Sequence, residues 1–319
     1  MSFSRRDFLA ALTTATAASV LPSAAPGSSS SRSNQLLTEP PAGSNISFGY
    51  AAITWGGNDV QAIKDVSAVG FKGIQLRTSV LPEFEKRPAA LRDLLAANQL
   101  KFTAFSSGGV SIAPGTETEE IARHVRNATF VRAAGGLYLQ VTDSARQKDR
   151  KPTADDFKRL GRVITEIARR TADLGVPLGY HNHMNSLGEA PDEVDRIMEA
   201  TDPRYVKFEL DIAHYQQGGG DPAKAIARYR ERLLFLHIKD LESPVPGVSG
   251  DNGRSYRFVE LGRGKVDLPA VFAALKKIKF RGWAVVELDA VPDNARTPKE
   301  SAVISRKFLE EKLGMKVGQ

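Results

Sequence analysis

From residue 46 onward the chain alternates between short apolar runs and longer amphipathic stretches, and this alternation restricts the possible folds more than any single residue does. The runs are Ile46 to Ala52, Gly73 to Arg77, Phe102 to Phe105, Leu137 to Val141, Val176 to His181, Val206 to Asp211, Leu233 to Ile238 and Trp283 to Glu287. Between them lie Val60 to Val69, Ala89 to Ala97, Thr118 to Ala134, Ala154 to Leu174, Pro191 to Ala200, Pro222 to Arg230, Leu268 to Ile278 and Pro298 to Leu313. Strict alternation predicts parallel strands joined by helical crossovers. The helical reading is clearest after Asp155 and Asp156, where Phe157, Leu160, Val163, Ile164, Ile167 and Ala168 recur at helical spacing until Leu174-Gly175 stops them. Eight such units favour one (β/α)8 barrel of class α/β over an open doubly wound sheet.

A dinucleotide fold would also need a glycine-rich loop after its first strand, and Trp55-Gly56-Gly57-Asn58 is too sparse for that pattern. Gly218-Gly219-Gly220-Asp221-Pro222 is richer in glycine, but Asp221 as an N-cap with Pro222 in the first helical position explains it without a phosphate.

With 319 residues, 41% of them hydrophobic, the chain can bury a full core. It has no cysteine, which excludes disulfides, thiolate nucleophiles and sulfur metal sites and leaves any metal to nitrogen and oxygen ligands. The formal charge of +7 is spread over helical stretches interleaved with acids, so nucleic acid is not an expected partner. No apolar run beyond the N-terminal segment is long enough to span a membrane.

The N-terminal residues Ser4-Arg5-Arg6-Asp7-Phe8-Leu9-Ala10, the weakly apolar run to Leu21 and the small residues Ser23-Ala24-Ala25 resemble a twin-arginine export signal. The resemblance implies a signal peptide over residues 1–25; a Gly/Ser/Pro-rich flexible linker is expected over 26–45 and a single barrel domain over 46–315. It also implies the twin-arginine translocation machinery as a partner and a periplasmic location for the mature protein.

Four of the five histidines fall between positions 181 and 237, each at the polar end of an apolar run: Tyr180-His-Asn-His183, Phe208-Glu-Leu-Asp-Ile-Ala-His214 and Phe235-Leu-His-Ile-Lys-Asp240, followed by Val285-Val-Glu-Leu-Asp289. In a parallel barrel the C-terminal strand ends form the open mouth, so His181, Asp211, His237 and Glu287 would converge there from strands five to eight. Two imidazoles and two carboxylates suit Mn²⁺, Co²⁺, Zn²⁺, Fe²⁺ or Mg²⁺ with positions open to substrate oxygens. His183 shares the parity of His181, so either of the two is a candidate ligand, and the other would face substrate. Lys239 either serves the site or pairs with Asp240. Arg77 and Gln140, at the ends of strands two and four, are candidate substrate contacts or rim residues. The connection from Leu241 to Val266 is longer than an ordinary loop and is expected to cover the mouth, with Glu260 in it as a further candidate contact.

Gly179-Tyr-His-Asn-His-Met184, Glu209-Leu-Asp-Ile-Ala-His214, Gly219-Gly-Asp-Pro222, His237-Ile-Lys-Asp240, Glu260-Leu-Gly-Arg-Gly-Lys-Val-Asp267 and Gly282-Trp-Ala-Val-Val-Glu287 together resemble the xylose isomerase-like barrel superfamily, in particular its sugar isomerase/epimerase and inosose dehydratase branch. The resemblance in motif order runs from about residue 46 to 315 and is most specific from 178 to 289. It implies a divalent metal held by one residue from each of the last four strands. His214 matches a substrate-binding histidine and Lys239 a lysine of the dehydratase-like members. The first ligand of the family is often glutamate, and its epimerases pair that residue with the last glutamate as acid and base. The histidine in this position departs from that pattern and suits the dehydratase-like branch better.

A metal chelating a carbonyl and an adjacent hydroxyl acidifies the intervening C–H, and His183, Lys239 and Glu287 are the candidate proton carriers. The expected function is a metal-dependent isomerase or epimerase of a non-phosphorylated sugar or keto-sugar, since export removes the protein from most sugar phosphates. The alternatives are an inosose dehydratase-like or keto-glycoside lyase acting by elimination and, more remotely, a metal-free carbohydrate-binding barrel. Apurinic endonuclease chemistry is more remote still, because strands two and three lack the extra histidines of a three-metal site.

Overall fold

The first strand, β1 (Ile46–Ala51), begins the part of the chain that the computed structural model describes, which is residues 46–147, 149–245 and 255–318. The expected signal and linker lie outside the described residues. After β1 come α1 (Asp59–Val69), β2 (Gly73–Arg77), α2 (Leu81–Phe84), α3 (Pro88–Ala97), β3 (Lys101–Val110), α4 (Glu117–Ala133), β4 (Tyr138–Asp143) and α5 (Ala154–Asp173). The second half contains β5 (Leu178–His181), α6 (Pro191–Ala200), β6 (Val206–Asp211), α7 (Ile212–Gln217), α8 (Pro222–Arg228) and β7 (Leu233–Ile238). It ends with β8 (Asp240–Glu242), β9 (Arg257–Val259), α9 (Leu268–Lys277), β10 (Gly282–Val286) and α10 (Pro298–Lys307). Eight of these strands close a barrel in the order β1-β10-β7-β6-β5-β4-β3-β2. Their pairings are parallel, as the alternation of runs and helices predicts, and the result is a single (β/α)8 domain.

Local chemistry accounts for the long helix of the first half. Thr153 and Asp156 form a reciprocal capping box at the start of α5, and the predicted stripe from Phe157 to Ala168 is the face that α5 buries. Gly175, at φ 74°, then turns the chain into β5. Asp221 caps α8 by accepting from the Lys224 amide at 3.1 Å, which agrees with the capping reading of the glycine-rich segment.

Several elements differ from expectation. Strand β3 continues to Val110 because its pairing with β4 resumes at Gly109–Thr142 after a register shift, and Gly108 takes up the irregularity at φ 90°. Serine and glycine in Ser106-Ser-Gly-Gly109 disfavour a strand locally, and the neighbouring strand overrides them. Helix α7 follows β6 directly. The long connection after β7 contains an antiparallel hairpin, β8 against β9, with Asp240 opposite Val259 and Glu242 opposite Arg257.

The fifth histidine, His124 of α4, belongs to the junction of β3 and α4. It is fully buried, with Nδ1 2.6 Å from Ser107 Oγ, which also accepts from Asn127 Nδ2 at 2.8 Å, and its Nε2 lies 3.7 Å from Glu120 Oε2. Burial lowers the pKa of His124 below its ordinary value. Burial acts against the charge on Glu120, but hydrogen bonds from its neighbours outweigh it and hold that carboxyl at about 2. A histidine with a lowered folded pKa contributes stability that is present above the unfolded value of about 6.5 and is lost as pH falls toward the folded one. The expected result is that the stability gap between the parent protein and His124→Gln narrows between about pH 7 and pH 5. Denaturant titrations of both proteins across that range test it, and a constant gap would contradict the assignment.

Candidate metal centre

Side chains along a strand alternate between its two faces, so every second residue enters the barrel. Tyr138, Phe235, Trp283 and Val285 form an apolar floor, with Tyr138 stacked on Phe235 at 5.4 Å between ring centroids. Two residues further along, β7 presents His237 and then Lys239, while β10 leads to Glu287 and Asp289. From β6 come Glu209 and Asp211, and from β5 His181 and then His183.

One ligand atom each from His181, Asp211 and His237 lies within 4.8 Å of the others. Asp211 Oδ2 is 3.5 Å and Glu287 Oε1 3.3 Å from His237 Nδ1. Among the described residues, Asp211 Oδ2, His181 Nδ1 and His237 Nδ1 are buried and accept or donate no hydrogen bond. Buried polar atoms are rarely left in this way, and a divalent cation shared by imidazole nitrogen and carboxylate oxygen would satisfy them. The donor set therefore fits the expected metal ligands His181, Asp211, His237 and Glu287.

The rest of Asp211 is held in place. Its Oδ1 caps α7 by accepting from Ala213 and His214 amides at 2.9 and 2.8 Å. Asn182 binds its backbone on both sides, donating to the carbonyl at 3.1 Å and accepting from the amide at 3.0 Å. Oδ2 is thus the oxygen left to face the centre.

His181, His183 and His214 form a second group of the same size. A cation is disfavoured there because the Lys239 ammonium stands 3.3 Å from His214 Nε2. His183 is grouped with His214 rather than with Asp211 and His237, which favours His181 in the choice left open by the sequence. The Nδ1 of His183 lies 2.6 Å from the Met184 carbonyl, so it carries the proton and Nε2 keeps the lone pair. This half-buried ring lies 3.9 Å from that of His214, centroid to centroid.

Lys239 is completely buried and donates to Glu287 Oε1 at 3.0 Å and Asp289 Oδ1 at 2.6 Å, with the Phe258 ring of the hairpin 3.9 Å from its Nζ. Burial works against its charge, but Asp289 and Glu287 outweigh burial and raise its pKa. Glu287 is likewise held well below the usual carboxylate range because His237 and Lys239 overcome its desolvation. Burial, reinforced by cationic neighbours, pushes His181 and His214 well below the ordinary imidazole value. A neutral His214 has one lone pair, yet a donor approaches each of its nitrogens, the Met184 amide at Nδ1 and Lys239 Nζ at Nε2, each from 3.3 Å. One imidazole nitrogen can satisfy only one of these donors, so the other is available to a substrate oxygen.

The remaining candidates occupy different positions. Lys239 does not pair with Asp240, whose carboxylate accepts from the amides of Leu241, Gly262, Gly264 and Val266 and so anchors the loop behind the hairpin. Glu260, expected as a substrate contact, is buried and committed to Ser301 Oγ on α10 at 2.9 Å and to Arg296 Nε, just before that helix, at 3.0 Å. Gln140 is buried and accepts from Gln75 Nε2 at 3.1 Å, which links it to the centre. Arg77 stands exposed at the end of β2. The sequence reading missed Gln75, Glu209, Asp289 and Phe258. The available signal was parity: Glu209 and Asp289 each stand two places from a proposed ligand within the quoted motifs.

The family description "xylose isomerase-like TIM barrel" matches residues 63–312. The chain belongs to this family. Among its xylose isomerase-like relatives, inosose dehydratase of Lacticaseibacillus casei is 27% identical over 299 residues, covering 85% of this chain and 98% of the relative. In fold this chain is similar to IOLI protein with a bound zinc atom, at a TM-score of 0.68 and 19% identity over 83% of this chain and 97% of that one. An L-ribulose 3-epimerase structure superposes at a TM-score of 0.66 and 19% identity, covering 84% of this chain and 94% of that one. The curated relative of this xylose isomerase-like barrel is thus named as a dehydratase, and the solved structures share its fold.

Proposed function

We propose that this protein is a divalent-metal-dependent lyase that eliminates water or an alcohol from a non-phosphorylated keto-sugar or cyclic keto-polyol. The observation that carries this reading is the buried Lys239 ammonium, set between two carboxylates on one side and His214 on the other. A divalent cation held by His181, Asp211, His237 and Glu287 would supply a Lewis acid beside the substrate carbonyl.

His183 Nε2, with its lone pair directed away from Met184, is the base that takes the proton next to the carbonyl. Lys239 and His214 bind the oxygen on which negative charge develops, through the donor that the imidazole leaves unsatisfied. As the enolate collapses, the bond from the β-carbon to its oxygen breaks, and the proton on His183 passes to the departing oxygen. Atoms balance: the substrate yields an unsaturated ketone and one molecule of water or alcohol. Glu287 is held ionised by Lys239 and His237, which makes it a poor donor to the opposite face and weighs against two-carboxylate epimerisation. The similarity to an inosose dehydratase over 85% of this chain favours the same outcome.

Incubating the metal-loaded protein with aldoses, ketoses, inososes and 3-keto-glycosides in deuterated water tests the reading. A product lighter by water or an alcohol is the expected result. Conserved mass with solvent deuterium on carbon would replace elimination with isomerisation or epimerisation. A folded protein that takes up no metal but retains sugar affinity would indicate a binding barrel instead. The preference for non-phosphorylated substrates, argued from the expected export signal, fails if only phosphorylated substrates turn over.

A further inference from the structure

We infer that Gln75 and Glu209 are positioning residues that keep the ring proton of His237 on Nε2, so that Nδ1 presents its lone pair toward Asp211 and Glu287. The inference rests on the reading of His237 as a metal ligand. His237 Nε2 lies 2.8 Å from Gln75 Oε1, in hydrogen-bond alignment, and 2.7 Å from Glu209 Oε1. Both neighbouring atoms are oxygens, and the amide oxygen of Gln75 can only accept, so its aligned contact calls for a proton on Nε2.

The two ends of an amide side chain are told apart by their partners. Gln75 Nε2 donates to Gln140 Oε1 at 3.1 Å, which turns the Gln75 oxygen toward His237. If both amides were reversed, Gln75 would offer N–H to the ring, and Nε2 would need a lone pair. In the arrangement observed, the Gln75 oxygen and not its N–H is aligned with Nε2 at 2.8 Å, and a second oxygen, Glu209 Oε1, stands 2.7 Å from the same nitrogen. With the proton on Nε2, Nδ1 is the nitrogen directed to Asp211 Oδ2 at 3.5 Å and Glu287 Oε1 at 3.3 Å.

Glu209 is fully buried and Gln75 is 3% exposed. Both lie in the tier between the aromatic floor and the ligand atoms. Gly179 on β5 makes room for Glu209, since a Cβ there would lie 3.3 Å from Glu209 Cβ and 3.3 Å from Phe235 Cε1. Partners of this kind fix the tautomer and direction of a ligating imidazole, and their removal typically lowers metal affinity about 10- to 100-fold.

The test uses full-length protein stripped of metal by chelator and titrated with Zn²⁺ alone. Gln75→Leu and Glu209→Leu are expected to weaken Zn²⁺ binding by about 10- to 100-fold each. Glu209→Gln keeps an acceptor oxygen and is expected to stay within a few-fold of the parent. Long-range ¹H–¹⁵N spectra of the parent protein loaded with Zn²⁺ should show a proton on His237 Nε2 and a ligated Nδ1. Ligation through Nε2, or unchanged Zn²⁺ affinity in both folded leucine variants, would overturn the inference. Should the parent protein bind no Zn²⁺, the ligand reading itself fails. The positioning claim is then decided by metal-free spectra at alkaline pH, where a proton on Nε2 supports it and one on Nδ1 refutes it.

Discussion

Asp211→Asn is expected to give a folded barrel that has lost its divalent cation. The asparagine oxygen can still accept from the Ala213 and His214 amides and cap α7, since asparagine is among the best N-caps. What it removes is the negative charge at Oδ2, the atom directed at His237 Nδ1. Zn²⁺ affinity measured by chelator competition should fall more than the roughly 10- to 100-fold typical of outer-shell changes, and turnover should fall with it. Asp211→Ala loses the cap as well, so its denaturation midpoint should correspond to a further loss of about 0.5–2 kcal/mol. Parent-like metal binding in the asparagine variant would remove Asp211 from the centre.

The second large effect is expected at Lys239. Replacing it by methionine keeps the aliphatic stem against Phe258 and removes the ammonium. If Lys239 stabilises developing negative charge, turnover should fall by about 10²–10³, the usual consequence of losing one such donor, while the metal stays bound. Stability should respond differently in the two forms of the protein. Without metal, Glu287 would be left near Asp211 with less positive charge to offset it, at a cost on the order of 3–5 kcal/mol. The partly exposed Asp289 contributes little to this cost because water screens it. Zn²⁺ should restore much of the loss by neutralising Glu287, so chemical denaturation with and without the ion separates the structural effect from the chemical one. Undiminished turnover in Lys239→Met would rule out the elimination mechanism proposed here.

The architecture was legible because each strand and helix carries its own signal. Strand β6 and strand β7 have the bounds read from their apolar runs, and α5 has both its cap and its buried stripe in contiguous sequence. The four proposed ligands were legible for a related reason: each is polar at the end of an apolar run, and the barrel brings those ends together. Gln75 was not, because its meaning depends on His237, 162 positions away. Gln140 looked like a rim residue because its strand appeared to end near it. In the fold β4 continues to Asp143, which leaves Gln140 one tier down among the barrel's buried amides. Glu260 was misread because its partners, Ser301 and Arg296, belong to a later part of the chain. The hairpin of β8 and β9 was hidden by its length, since three residues on each side give no measurable alternation.

The alternation along β7 has one further consequence. Phe235, His237 and Lys239 occupy successive inward positions roughly 6–7 Å apart, so floor, ligand and cation form a column with a spacing of two residues. Removing a single residue from that strand would do more than shift the column. It would turn the strand over, sending Leu236 and Ile238 into the barrel and the histidine and lysine out toward the helices. The chemistry of the mouth is therefore tied to the count of residues in a strand as firmly as to their identity.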